Sequence, residues 1–330
     1  MSHTLPRFGF GGAAIGNLYR AVSDEDARAA LHAALSQGVT LIDTAPYYGH
    51  GLSETRIGAA LRAWAGPKPM LSTKVGRVLD PVAPDETGDF GYVDTLPFRP
   101  RFDYSRDGVR RSLESSFARL GVERVDIALI HDIGANNHGA AHGAVMAQVL
   151  EETLPALKAA RSEGLIGAIG IGVNEWEVSA EVLQHANLDY ILLAGRYTLL
   201  EQPALSSGLL DLCTARGVRV LAAGVFNSGL LATAPSPAST YNYETAPPQI
   251  VAQASRLWAL CASFGVAPQA AALQFPLAHP AVACVVVGAR SAGEIDDLVR
   301  WRAEPIPDAL WDALKREGFI LGDAPTPKAL

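Results

Sequence analysis

A short apolar run followed by a helical stretch recurs about eight times along this chain, and that alternation most constrains its fold. Candidate strands fall at residues 8–11, 40–43 (TLID), 70–74, 125–131 (VDIALIH), 166–173, 190–194, 218–223 and 282–287 (VACVVV). Helical stretches lie between them at 24–37, 105–120, 146–163, 175–186, 206–216, 249–264 and 292–300. Ser23 is placed to cap the first helix, and Gly38, Gly121, Gly164, Gly217 and Gly265 stand just past helix ends, where a left-handed residue closes the last turn. The strands are almost uninterrupted apolar runs, the pattern of a parallel sheet covered on both faces. Strands joined by helices pair in parallel through right-handed crossovers, either as an open doubly wound sheet or as a closed (β/α)8 TIM barrel. No Pro/Ser-rich or charged boundary divides the chain, so the expectation is one α/β barrel domain over residues 1–330.

The length of 330 residues exceeds the ~250 of a bare barrel. The surplus falls mainly in two connections, 76–103 and 227–248, both rich in proline. Both follow strands and are expected as long loops on the C-terminal face, where barrel enzymes build their sites. Lys and Arg number 27 against 34 Asp and Glu, a net charge of −7, so a nucleic-acid partner is not expected. No apolar run approaches the ~20 residues of a membrane span, and no secretory leader is visible. Cys213, Cys261 and Cys284 are widely spaced and give neither a disulfide framework nor zinc-ligand spacing. A cytoplasmic protein, monomeric or homodimeric, with no metal is expected.

Gly9-Phe-Gly-Gly-Ala-Ala14 matches the spacing G-x-G-x-x-A of a dinucleotide fingerprint, but the following Ile-Gly-Asn-Leu-Tyr reads as loop, where that fingerprint needs a helix. A tight glycine-rich turn explains it better. The stretch from Asp43 to Glu54 (DTAPYYGHGLSE) is more informative. Its second half reads as the start of a helix running to Trp64 and capped by Ser53. That reading leaves Asp43 and the two tyrosines unexplained. Asp43, Lys74 and His131 close or nearly close three consecutive candidate strands, and strand ends in a barrel converge on one mouth. As single residues Lys74 and His131 would be ordinary rim groups; together with Tyr48 they form an acid–base set. An ammonium beside a phenol favours the phenolate and is expected to lower the pKa of Tyr48, while a carboxylate holds the ammonium. His131 could donate a hydrogen bond to a substrate oxygen. Such a set suits proton transfer at a carbonyl or hydroxyl oxygen, with hydride carried by a cofactor.

With these residues in place, the chain resembles the aldo-keto reductase superfamily, in the tetrad Asp43, Tyr48, Lys74 and His131 and in the DTAPYYGHGLSE stretch. Residues 102–116, His131-Asp-Ile133 and Gly170–Trp176 resemble the branch holding aldose 1-dehydrogenases and pyridoxal 4-dehydrogenases. The resemblance implies a barrel that binds NAD(P) across its C-terminal mouth, with Tyr48 exchanging the substrate proton, Lys74 and Asp43 supporting it, and His131 positioning the substrate oxygen. It places Asn174 at the nicotinamide amide, Val225, Phe226, Asn227, Ser228 and Gly229 at the pyrophosphate, and Gly288, Ala289, Arg290, Glu294 and Asp297 at the adenosine end, with Gly11, Gly12 and Asp43 also at the cofactor. The tyrosine that often stacks on the nicotinamide is replaced by Ala223. Glu294 stands where an NADP enzyme would carry a cation, so NAD is the expected cofactor, with NADP the other choice and Arg290 arguing for it.

Substrate contacts are expected from Tyr19, Tyr48, Arg77, Phe102, His131 and Asp132, with Phe98, Asn136, His138 and Arg196 nearby. The charged helix over 110–119 is expected as a solvated outer face. The expected reaction is oxidation of an aldose C1 hydroxyl, of the L-fucose or D-threo-aldose type, to a lactone. Oxidation of pyridoxal is the alternative. A non-catalytic cofactor-binding barrel acting as a regulatory subunit is a third reading, which the complete tetrad opposes.

Overall fold

A computed structural model describes residues 7–88 and 90–328. In chain order the strands are β1 (Phe8–Gly11), β2 (Leu41–Asp43), β3 (Met70–Val75), β4 (Arg77–Pro81), β5 (Phe98–Phe102), β6 (Val125–His131), β7 (Ile166–Val173), β8 (Tyr190–Ala194), β9 (Arg219–Ala223), β10 (Thr240–Tyr241), β11 (Glu244–Thr245) and β12 (Val282–Gly288). Eight of them close into a parallel barrel in the order β1-β12-β9-β8-β7-β6-β3-β2, the eight that the apolar runs predict. Phe8 lies opposite Val285, and Gly11 opposite Asp43, so the ring has no open edge.

Side chains alternate between the two faces of the barrel wall. Leu41, Ile127, Leu129, Tyr190, Leu192, Leu221, Cys284 and Val286 form a cluster of their own inside the ring. The other parity packs outward, where Ile42, Ala128, Ile130, Ile171 and Ile191 meet the helical layer. Extending the inner parity by one step toward the strand ends brings Asp43, Lys74 and His131 to the interior at the mouth. Gly11, Ala223 and Gly288 hold the same register on β1, β9 and β12, so one side of the mouth carries almost no side-chain bulk. Gly172 makes room on the other side: a Cβ there would lie 3.1 Å from Lys74 Cε.

Local chemistry sets the helix boundaries. Ser23, Ser105 and Ser291 each accept a backbone N–H at a helix start. Ser53 does not cap its helix, Leu52–Ala63; Gly51 is the capping residue, in the left-handed region. The buried Ser53 hydroxyl instead donates to Gly12 O (2.8 Å) and meets Thr44 Oγ1 (2.9 Å), fastening the glycine-rich turn to the next strand. No α-helix follows that turn; a short 3-10 segment, Ala14–Gly16, does.

The continuous helix expected over 146–163 is three pieces, His142–Gln148, a π-turn Val149–Thr153 and Leu154–Ser162. Pro155 has no N–H to continue the α ladder, and the wider turn absorbs the gap. The expected loop 76–103 contains an antiparallel hairpin, β4 against β5, with Arg77 opposite Phe102. Prolines are tolerated in such a two-stranded ribbon because their missing N–H can face away from the partner. Within 227–248, β10 and β11 form a second small hairpin whose turn, Asn242-Tyr243, has both residues at positive φ. Helices Pro268–Gln274 and Asp308–Arg316 were not expected. Arg119 is not part of a wholly solvated face, since it reaches in to pair with the fully buried Glu54 at 2.7 Å.

Candidate active site

The inner ends of β2, β3 and β6 meet as the parity argument requires. Lys74 Nζ donates to Asp43 Oδ2 (2.7 Å), to the carbonyl of Thr44 (2.8 Å) and to the Tyr48 hydroxyl (3.0 Å). All three ammonium donors are thereby used. Asp43 is held on its other oxygen by Ser72 Oγ at 2.7 Å. Ser72 and Thr44 were not among the expected residues, although Ser72 lies two before Lys74 on the same strand face.

The His131 ring stands edge-on to Tyr48, with centroids 5.9 Å apart, and Tyr92 stacks on Tyr48 at 6.1 Å. Burial pushes His131 down to about 3, so at neutral pH it is a neutral imidazole and can donate one N–H. The phenol of Tyr48 departs from expectation. Its pKa is raised well above the ordinary value, first by burial and then by the carboxylates of Asp43 and Asp132, with Arg77 opposing. The physical reason lies in the pairing: the Lys74 charge is balanced by Asp43 at 2.7 Å, so little net positive field is left to offset desolvation. Tyr48 is therefore a proton donor at neutral pH.

Around this centre the hairpin after β3 supplies Arg77, whose guanidinium lies over the Tyr47 ring (4.0 Å) and over the Phe102 ring (4.1 Å). It pairs with Asp132 Oδ2 at 2.7 Å. Burial pushes the Asp132 carboxyl up, but the adjacent His131 ring, the paired Arg77 guanidinium and the Lys74 ammonium outweigh it and hold the group below the ordinary range. Tyr104 donates to the carbonyls of His131 (2.8 Å) and Asp132 (3.0 Å), fixing the turn that leaves β6. His138 packs on Phe102 with ring centroids 4.4 Å apart. The predicted substrate residues Arg77, Phe102, Asp132, Tyr48 and His131 thus share one wall of the mouth. Phe98 lies at the far end of the β4–β5 ribbon, paired with Pro81.

The opposite wall carries the residues expected at the cofactor. Asn227, Ser228 and Gly229 follow one another at positive φ. The Asn227 amide is buried with neither its N nor its O partnered among the described residues. Arg290 Nε is likewise buried and unpartnered. Unmet donors beside an unusual backbone turn suit a phosphate-bearing ligand. Gly12 hands its N–H to Asp43 O (2.7 Å), and a Cβ there would meet Ser53 Oγ at 2.5 Å.

Glu294 accepts from the Arg290 N–H (2.7 Å) and meets Arg20 at 3.4 Å, while its own N–H is capped by Ser291 (3.2 Å). Its carboxylate is thus engaged at the helix start. Val225 and Ala289 are buried in the core, which leaves only their backbone for a ligand. Phe226 meets Trp301 edge-on, and Asp297 pairs on the surface with Arg300 at 2.6 Å.

Asn174 and Arg196 line one cleft together with Asn136, Trp176, Glu201 and Asn242. Tyr243, which no periodicity flagged, bridges the two walls. It is 56% exposed, and its ring centroid lies 6.5 Å from that of Tyr19. Asn242 beside it accepts from Arg196 at 3.1 Å, and the Tyr243 backbone N–H donates to Ser228 Oγ at 3.2 Å.

A sequence model of the Aldo/keto reductase family matches residues 7–316. Among curated proteins, the chain is 40% identical to a pyridoxal 4-dehydrogenase from Microbacterium luteolum, covering 96% of this chain and 95% of that protein. It is 38% identical to a D-threo-aldose 1-dehydrogenase from a Pseudomonas species, covering 98% and 96%. Among solved structures, an aldo-keto reductase from Bacillus halodurans in its holo form superposes with a TM-score of 0.73 at 24% identity over 94% of this chain and 92% of that one.

Proposed function

The chain belongs to the aldo/keto reductase family and is an oxidoreductase of the kind that uses NAD(P)H, and from that premise we propose that it oxidises the C1 hydroxyl of an aldose to a lactone with NAD as the preferred cofactor. The observation that carries the chemistry is Lys74 Nζ, 2.7 Å from Asp43 and 3.0 Å from the Tyr48 hydroxyl, with neutral His131 beside that hydroxyl.

The substrate oxygen is held between His131 and Tyr48. A nicotinamide cofactor, when bound, supplies the hydride acceptor or donor. Asn174, the 227–229 turn and Arg290 would hold it, and the unmet donors of Asn227 and Arg290 support that role. In reduction Tyr48 hands its proton to the carbonyl oxygen. In oxidation Tyr48 must first be the phenolate, which Lys74 steadies at 3.0 Å; its oxygen then takes the proton of the substrate hydroxyl and becomes the phenol. Because burial holds the Tyr48 proton tightly, the oxidative direction gains from alkaline pH. The Arg77 and Phe102 wall gives a polar and an aromatic face to a ring-shaped polyol.

NAD preference is argued from Glu294, whose carboxylate beside Arg290 disfavours a 2′-phosphate. Pyridoxal is the second reading, favoured by the 40% identity to a pyridoxal 4-dehydrogenase. The test is NADH formation at alkaline pH with L-fucose, L-galactose, D-arabinose and pyridoxal, each with NAD and NADP. Turnover of aldoses with NAD is expected. Turnover of pyridoxal alone overturns the sugar assignment, and a higher kcat/KM with NADP overturns the cofactor preference.

A further inference from the structure

We propose that Asp132 is a specificity residue, taking a hydrogen bond from a hydroxyl on the carbon next to the reacting one, which in an aldose is the C2 hydroxyl. The proposal builds on the acid–base centre assigned under Proposed function. One carboxylate oxygen, Oδ2, is occupied by Arg77, through Nη2 at 2.7 Å and Nε at 3.2 Å. No hydrogen bond from a described residue reaches Oδ1, and the side chain keeps 13% of its surface open. The carboxylate therefore has a fixed half and an unfilled half.

Its position is tied to the reacting centre. His131 Nε2 lies 3.6 Å from Asp132 Oδ2, beyond hydrogen-bond length, so the imidazole N–H is not spent on the carboxylate. The carboxylate also faces Tyr48 and Tyr243 closely enough to perturb both phenols. A substrate oxygen bound by His131 thus has a carboxylate beside it, where a hydroxyl on the neighbouring carbon can reach it. An ionised carboxylate only accepts hydrogen bonds, so it selects a hydroxyl over a methylene or a carbonyl at that position.

The mounting is rigid. Asp132 sits at φ 53, a left-handed conformation that aspartate tolerates better than most residues. Its N–H donates to Gly172 O (3.0 Å), and Tyr104 donates to its carbonyl (3.0 Å). Arg77 is clamped between Tyr47 and Phe102, so the cation that anchors Oδ2 cannot swing away without leaving both rings. A carboxylate fixed in this way discriminates without first having to be ordered.

The test measures kcat/KM for paired substrates, in wild type and in Asp132→Ala and Asp132→Asn. One pair is an aldose and its 2-deoxy counterpart in oxidation. The other is 2-hydroxypropanal and propanal in reduction with NADH or NADPH. Hydrogen bonds to charged groups predict a wild-type preference of roughly 10- to 100-fold for the hydroxylated member. Asp132→Ala should bring the ratio to near one, chiefly through KM, with Asp132→Asn between. A wild-type ratio near one overturns the proposal. So does an Asp132→Ala enzyme that slows both members equally, since a merely structural role leaves the ratio intact. The aldehyde pair separates this proposal from the sugar assignment: aldoses could go unoxidised while the hydroxyaldehyde preference stands.

Discussion

Replacing Lys74 with methionine tests the centre of the site through stability as well as rate. The ammonium is 1% exposed and satisfies Asp43, the Thr44 carbonyl and Tyr48 together. Methionine fills much of the same volume but leaves the Asp43 carboxylate in the barrel with only the Ser72 hydroxyl as a side-chain donor. Stripping one partner from a buried ion pair costs about 3–5 kcal/mol. At about 2.1 cal/mol/K per residue, the unfolding entropy of a chain this long is ~0.7 kcal/mol/K, so Tm should fall by roughly 4–7 °C. Asp43→Asn combined with Lys74→Met removes both charges, and Ser72 can still donate to the amide oxygen. That double variant should recover most of the lost Tm, because removing a buried pair together is often close to neutral. Differential scanning calorimetry of the wild type, both single variants and the double measures the coupling directly. A double variant as unstable as Lys74→Met, or more so, would refute the claim that the stranded carboxylate is what destabilises.

Three further outcomes follow from the geometry. Tyr48→Phe should cut turnover by about 10²- to 10⁴-fold, with nucleotide binding, read by tryptophan fluorescence, little changed; retained turnover would move the proton donor elsewhere. His131 titrates near 3 in the folded protein and near 6.5 unfolded, so between those values the unfolded chain takes up a proton that the native one refuses. Stability should fall as pH drops through that window, and His131→Phe should flatten the decline in denaturant midpoints measured between pH 7 and pH 5. Gly12→Ala drives a methyl to 2.5 Å from Ser53 Oγ and 3.0 Å from Asp43 O, for an overpacking loss of about 1–3 kcal/mol; adding Ser53→Ala should return part of it in the same thermal assay.

The barrel was legible because burial on both faces writes each strand as an apolar run, and the site was legible because Asp43, Lys74 and His131 interrupt that pattern at strand ends. The tetrad's convergence needs only side-chain parity. What escaped has no periodic signature. Residues 76–103 looked like a loop because Pro81 and Pro100 argue against strands, yet a two-stranded ribbon leaves backbone positions where proline does no harm. Tyr92 and Tyr243 reach the site from connections whose course depends on tertiary contacts such as Tyr243 N–H to Ser228. The pKa of Tyr48 was not legible, because the sequence shows neither the depth of its burial nor that the Asp43 carboxylate holding Lys74 also raises it.

The pairing of β1 with β12 also bears on how the molecule is made. Phe8 cannot find Val285 until nearly the whole chain is available, and β9 waits for the same strand, through Val220 and Val282. Closing so long a loop costs chain entropy before any contact repays it, which makes such topologies slow to fold. Until β12 arrives the sheet is a curled ribbon with two bare edges, each offering unpaired N–H and C=O groups to any neighbouring strand. The last strand of the ring is thus also the step that ends the chain's exposure to aggregation, and a polypeptide arrested before residue 282 would be a natural client for chaperones.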